Sequence, residues 1–355
     1  MEVIFNLFKI RFVKLDELIT KYCTEIQQNS TINFFINIEP ILKKLIMANI
    51  EDYLKVKKDE RSIELMSNIF NLASHYRSFF SKNKLYSKIF IYLSYSLTNN
   101  TYKNKLIYPD YRKYYELKFN NPKLFVLKQT LTSIIPLLTI ITEYIEGVYF
   151  IKSESVEGSL IPWIITNEFS DNSLNFILSN DNYDYQYTNN NFYIINPKKQ
   201  NSYIIYKDNL INTLKFEDKI VNDININPKF YTFIKAILGD KYRNIQKIRN
   251  LGLITILKNL NNAIKQNILT DNTTSITILS NIIKEEHRNQ LINNYYVTDL
   301  VSQYTSLNLK DIYNITEQVI DKFDNVSLKK LNDMYFTQYP IQLMDILSGV
   351  NFIKK

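Results

Sequence analysis

The chain reads as an α/β protein with a helical C-terminal region. Buried-strand patterns such as INFFINI (32–38) and KIFIYLS (88–94) alternate with helical stretches as far as residue 206. Each unit runs helix, apolar strand, polar loop, which is how α/β layers are built. Beyond residue 222 only helical periodicity remains, and it centres on one basic stretch, Lys229 to Leu260, KFYTFIKAILGDKYRNIQKIRNLGLITILKNL. The expected organisation is an N-terminal helical extension (1–30), an α/β domain (31–222), and a helix–hairpin–helix with further helices (223–355).

Taken in order, the extension has an apolar start and a helical pattern through Leu15, Leu18, Ile19 and Tyr22. It reads as a partner-binding helix or as a helix packed on its own domain. After the first strand, Pro40 opens a helix with Ile41, Leu42, Leu45 and Ile46 at helical spacing. An amphipathic helix is expected over 60–82, then the strand 88–94. Tyr102–Lys118 interleaves rings and cations (Tyr111, Arg112, Lys113, Lys118 among them). That mixture suits a single strand of nucleic acid, with rings stacking on bases and cations meeting phosphates; it also suits a solvated loop. A helix over 124–144 follows, then strands at Val148–Ile151 and Asn175–Leu178, and a hairpin of Phe192–Ile195 with Tyr203–Tyr206. Residues 261–285 are expected to be helical, and 309–346 to form short helices.

The basic stretch divides into an apolar helix (Phe230, Phe233, Ile234, Ile237, Leu238), a polar break, and a second helix from Leu253. Gly239, Asp240, Asn250 and Gly252 let the backbone turn sharply. Lys241, Arg243, Lys247, Arg249 and Lys258 crowd the break. Exposed amides beside cations suit a phosphate backbone, which asks for geometry and charge but no base reading. An ordinary helical hairpin with a basic edge would have the same pattern.

The run Leu238-Gly239-Asp240-Lys241, then Asn244-Ile245, Ile248, Asn250-Leu251-Gly252 and Thr255, resembles the signature of flap endonucleases and phage or bacterial 5′-3′ exonucleases. The resemblance implies a PIN-like, mostly parallel central sheet flanked by helices, a helix–hairpin–helix gripping duplex DNA, and an arch at Tyr102–Lys118. It also places carboxylates at fixed stations. Ser179-Asn180-Asp181-Asn182-Tyr183-Asp184-Tyr185-Gln186 is similar to the family's Ser-x-Asp-x-Asp-x-x-Gln, and Val156-Glu157-Gly158-Ser159-Leu160 stands at its Glu-Ala-Asp-Asp. These stations follow the family's order over roughly residues 31–305.

Most of the acids are missing. Glu157, Asp181 and Asp240 persist, while Asn37, Ser94, Ser159, Leu160, Tyr183 and Arg243 occupy the other positions. Asp184 lies one position off; neighbours on a strand or tight loop point different ways, so it is not expected to substitute. Gln246 and Asn250 replace the family's Pro and first hairpin Gly. Two-metal phosphodiester hydrolysis needs enough carboxylate to strip water from Mg²⁺ and hold two ions about 4 Å apart. No catalytic residue and no metal are therefore expected, Glu157, Asp181 and Asp240 being remnants. Arg243 is the expected metal-replacing cation, pairing with Asp240 and with Asp181 as a second candidate; Lys241 is the alternative supplier of charge. The expected DNA-binding residues are Lys241, Lys247, Arg249, Gly252 and Lys258, with Tyr111, Arg112, Lys113 and Lys118 of the arch.

Composition narrows the classes further. Hydrophobic content of 45% and aromatic content of 14% call for a packed core. The excess of Ile, Asn, Lys and Tyr reads as the bias of an AT-rich genome, such as a phage's or another virus's. A net charge of +8 permits nucleic-acid binding without requiring it, because the cations are scattered. A single cysteine, Cys23, excludes an internal disulfide and a cysteine metal site, and two histidines, His75 and His287, leave no zinc set or catalytic triad. The most apolar window, Leu131 to Ile145, is interrupted by Pro136 and too short to span a bilayer. Lys9, Arg11, Lys14 and Asp16 break any signal-peptide pattern. A cytoplasmic protein is expected, in the host cell if viral, with no membrane partner.

Three functions fit: a degenerate nuclease serving as a DNA-binding or interaction subunit of a replication or transcription assembly; a weak Mg²⁺-dependent 5′-3′ exonuclease; and a scaffold subunit that binds no DNA. Branched or nicked duplex DNA is the expected partner, with proteins of such an assembly a further one.

Overall fold

The computed structural model describes residues 31–48, 51, 55, 58–93, 109–110, 122–142, 145, 147–153, 156–169, 173–190, 192–196, 203–205, 230–241, 243–270 and 275–319. The extension 1–30, Ser94, Tyr111, Arg112, Lys113, Lys118 and the chain after Val319 lie outside these residues.

The elements run β1 (Thr31–Asn37), α1 (Ile38–Ala48), α2 (Lys58–Lys82), β2 (Tyr86–Tyr92), α3 (Pro122–Thr142), β3 (Val148–Ile151), a 3₁₀ turn (Gly158–Leu160), α4 (Ile161–Glu168), β4 (Leu174–Leu178), a 3₁₀ helix (Asn182–Asn190), β5 (Phe192–Asn196) and β6 (Tyr203–Ile205). Then come α5 (Tyr231–Leu238), α6 (Leu253–Lys265), α7 (Ile276–Ser280), a 3₁₀ turn (Glu285–His287), α8 (Arg288–Thr298), α9 (Leu300–Tyr304), α10 (Leu309–Thr316) and a last 3₁₀ turn (Glu317–Val319). The sheet order is β3-β2-β1-β4-β5-β6. All pairings are parallel except β5–β6. The fold is α/β, a mostly parallel sheet covered by helices.

Several expected boundaries move. α1 begins at Ile38, two residues before Pro40, which its first turn tolerates because no intrahelical N–H is needed there. β2 starts and ends two residues earlier than expected. Its β-branched and aromatic residues pair fully with β1 by Tyr92, opposite Asn37. The helix expected over 261–285 is broken: α6 stops at Lys265, and only the short α7 and a 3₁₀ turn follow among the described residues. Asn267 breaks it, adopting a left-handed φ of 57°.

Side chains alternate across β1. Ile32, Phe34 and Ile36 enter the core under α1, α2 and α3, whereas Phe35 enters a second core with α4, Tyr183, Tyr185, Tyr187, Val297 and Leu300. Period two puts Asn33 and Asn37 on the face of Phe35. A third cluster, from Phe230, Phe233, Ile237, Ile256, Leu260 and Leu291, holds α5 against α6 and α8. The apolar window too short for a membrane falls largely in α3, whose apolar face packs into the first core. Among the described residues, no helix is long and apolar enough to cross one.

Candidate functional site

Parallel strands bring their C-terminal ends to one edge, and the crevice opens where neighbouring connections leave in opposite directions. Here that point lies beside β1, which has β2 on one side and β4 on the other. Asn37 closes β1 fully buried, and its amide donates to the Ser179 hydroxyl at 3.3 Å. That hydroxyl accepts from the backbone N–H of Asp181 at 3.0 Å, and Asp181 Oδ1 accepts from the N–H of Tyr183 at 3.0 Å. Asp181 thus starts the 3₁₀ helix 182–190 in the manner of an N-cap. Gln186 ties this helix to the α8–α9 junction: its amide donates to the carbonyl of Tyr183 at 2.8 Å, and its Oε1 accepts from the N–H of Leu300 at 2.9 Å.

The second wall comes from the turn after α5. Gly239 has φ of +70°, and a Cβ there would lie 2.6 Å from the Ile245 carbonyl oxygen and the Lys247 nitrogen. Only glycine fits. Asp240 and Ile245 exchange backbone hydrogen bonds at 2.9 and 2.8 Å, while Asp240 Oδ1 accepts from the N–H of Arg243 at 3.0 Å. Gly239→Ala is expected to cost about 2 kcal/mol of stability through backbone strain. Gly252→Ala should cost almost nothing in the same urea titration, since Gly252 is extended (φ −90°) and nothing lies within 4 Å of an added Cβ.

This turn carries Arg243 into the crevice, where it is buried. Its Nη2 lies 2.9 Å from Asp181 Oδ2, 3.5 Å from Glu157 Oε1 and 3.4 Å from Ser159 Oγ, and its Nη1 lies 3.7 Å from Asp240 Oδ2. The Asp240 pair is present, but Asp181 is the closer partner. The guanidinium lies over the ring of Tyr183, with Cζ 3.5 Å from the centroid. Three acids at separate strand and turn ends therefore converge on one cation.

Two expectations are corrected here. Lys241, the alternative supplier of charge, is exposed. The second cation is instead Lys235, buried on α5, with Nζ 3.4 Å from Asp240 Oδ2 and 5.5 Å from the Tyr183 ring. The second concerns Asp184, which is fully buried beside the cluster rather than turned away. The reason is the local helix type: three residues per turn place Asp184 on the same side as Asp181, and its N–H donates to the Asp181 carbonyl at 3.2 Å. Neither Asp184 carboxyl oxygen has a hydrogen-bond partner of good geometry. Burial pushes this carboxyl well above the usual carboxylate range and the Asp181 charge adds to that, against smaller opposing effects of Ser179, Arg243 and Asn37. Burial likewise raises the Tyr92 and Tyr187 phenols that face the same region.

Lys247, Arg249 and Gly252 lie exposed on the hairpin, and Lys258 on the outer face of α6. Asn250 has φ of 60°, so it takes the left-handed conformation that a glycine would. Gly252 precedes α6 and makes no side-chain cap hydrogen bond to its first amides.

Whether a divalent ion fits turns on the space between the carboxylates. A guanidinium occupies the space that Glu157, Asp181 and Asp240 all face. Among the described residues, no group of three or more His, Cys, Asp or Glu side chains is arranged to hold one.

No protein-family model matches the chain, and no curated protein is detectably similar in sequence. Among solved structures, the 5′-exonuclease of bacteriophage T5 with bound zinc superposes with a TM-score of 0.54 at 12% identity, over 82% of this chain and 98% of that one. A T5 flap endonuclease pseudo-enzyme–product complex with DNA and metal ions gives 0.49 at 12% identity, over 81% and 98%. The catalytic core of Rad2 with a DNA substrate gives 0.38 at 13%, over 96% and 94%. The fold is similar to that of the T5 5′-exonuclease.

Proposed function

We propose that this chain is a catalytically degenerate protein of the flap-endonuclease type, one that binds branched or nicked duplex DNA as a subunit of a viral replication or transcription assembly. The observation that supports lost catalysis is Arg243, whose guanidinium lies 2.9 Å from Asp181 and within 3.7 Å of Asp240. A permanent cation cannot be titrated away, and its charge repels the ion that such chemistry requires. No cofactor is assigned on this reading. Flap and nicked duplexes incubated with Mg²⁺ or Mn²⁺ should remain intact. Cleavage that disappears in an Asp181→Ala control would restore the weak exonuclease.

DNA binding is supported by the exposed hairpin cations and the uncapped start of α6, a helix–hairpin–helix arrangement suited to backbone phosphates. Asn250 keeps the hairpin's left-handed turn, so the glycine missing there does not weigh against phosphate binding. Anisotropy titrations with forked DNA should show log affinity falling with log salt by about 0.9 for each phosphate contacted. Replacing Lys247 and Arg249 with alanine should reduce that slope by about two. Gly252→Ala, neutral for stability, should weaken binding by blocking close backbone approach. Unchanged slopes and affinities in these variants would leave the DNA reading without its interface.

A further inference from the structure

Two of the non-acidic residues of the site meet on the third. Ser159, Tyr183 and Arg243 replace three carboxylates of the resembled pattern, and the Arg243 guanidinium meets the Ser159 hydroxyl at 3.4 Å and the Tyr183 ring face at 3.5 Å. Tyr183 is 1% exposed and Arg243 6%, so solvent screens neither contact. A phenol ring offers a cation an electron-rich face with no charge of its own, and a hydroxyl is a neutral acceptor for a guanidinium N–H. Had only Arg243 changed, a carboxylate would stand where its guanidinium now stacks. Had only Tyr183 changed, the ring would be buried with only the more distant Lys235 ammonium, 5.5 Å from its centroid, on its face.

We propose that Ser159, Tyr183 and Arg243 form a single refitted unit, in which the guanidinium is a built-in cation that fastens the α5 turn to the strand ends without any metal. The contacts cross between segments far apart in sequence: Asp240 and Arg243 belong to the turn after α5, while Glu157, Ser159, Asp181 and Tyr183 follow β3 and β4. Lys235 adds a second fixed cation from α5, over the same ring and against Asp240. Counted together, Glu157, Asp181 and Asp240 carry three negative charges against the two positive charges of Arg243 and Lys235. The cluster is close to neutral without a divalent ion, which accounts for its burial. Removing the two altered residues in favour of acids would make the same walls strongly anionic, and they would then take up a divalent cation.

The inference rests on the reading of the site as inactive, but it fails separately. Urea denaturation of the full chain with Tyr183→Leu, Arg243→Met and the double variant measures whether the two residues act as one. The double variant should retain a folded-to-unfolded ratio about tenfold higher than the product of the single losses, because the second change removes a contact already gone. Additive losses would overturn the unit while leaving the nuclease result untouched. Should Arg243→Met fail to fold, Arg243→Lys serves in its place: it keeps the charge and loses the planar stack, so its coupling to Tyr183→Leu should persist. In parallel, Mn²⁺ alone is titrated calorimetrically. The native chain should show no saturable uptake and no change in Tm with EDTA, whereas Tyr183→Asp with Arg243→Asp should bind Mn²⁺ and gain Tm from it. Native uptake abolished by Asp181→Asn, or a double variant that folds yet ignores Mn²⁺, would overturn the proposal.

Discussion

Replacing Arg243 with methionine is expected to remove about 3–5 kcal/mol of folding stability, measured by urea denaturation near neutral pH. The magnitude follows from what remains. Methionine fills much of the same volume, so little of the loss is a cavity. The Glu157 and Asp181 carboxylates would then face each other's charge with their closest cation gone, at 2% and 16% side-chain exposure. Uncompensated buried charge is the larger penalty. A triple variant adding Glu157→Gln and Asp181→Asn should therefore recover most of what Arg243→Met loses, because it removes the charges that needed the cation. Asp240 still has Lys235 at 3.4 Å. Failure of the triple variant to recover would mean that Arg243 contributes through packing on Tyr183 rather than through charge.

The sequence displayed the frame of this site more fully than its wiring. Asp240 and Arg243 could be paired from a turn motif, because Gly239, Asp240 and Asn244 dictate a backbone shape that brings residue 243 back over residue 240. Glu157 and Asp181 could be placed at strand ends, since buried apolar runs mark where strands stop. That all four meet needed the β1–β2 and β1–β4 registers, which no local pattern carries. Lys235 was missed although a signal existed: α5 is YTFIKAIL, and every residue from Tyr231 to Ile237 is buried. A helix apolar on all sides is enclosed, and a lysine within it must find an acid. The Tyr111–Lys118 arch lies outside the described residues, so its reading stands where the sequence left it.

Asp184 was misjudged for a different physical reason, and the error yields the second large effect. Alternation was assumed for a segment that turns every three residues, so the side chain points inward, onto the region of Asp181, Ser179, Asn37, Tyr92 and Tyr187. Its folded-state pKa is raised, by burial first and by the Asp181 charge second. In the unfolded chain it titrates near the ordinary aspartate value of about 3.9. Between those two values the native protein holds a proton that the unfolded chain has released. Stability contributed by Asp184 is thus complete below the unfolded value and drains away as pH rises toward the folded one, at up to about 1.4 kcal/mol per pH unit. Asp184→Asn copies the protonated acid in shape and has no proton to lose. Its stability relative to the native chain should accordingly improve as pH rises above the ordinary aspartate value, in paired urea titrations. Parallel stability curves above that value would mean that Asp184 is ionised in the native state and that Arg243 outweighs its burial.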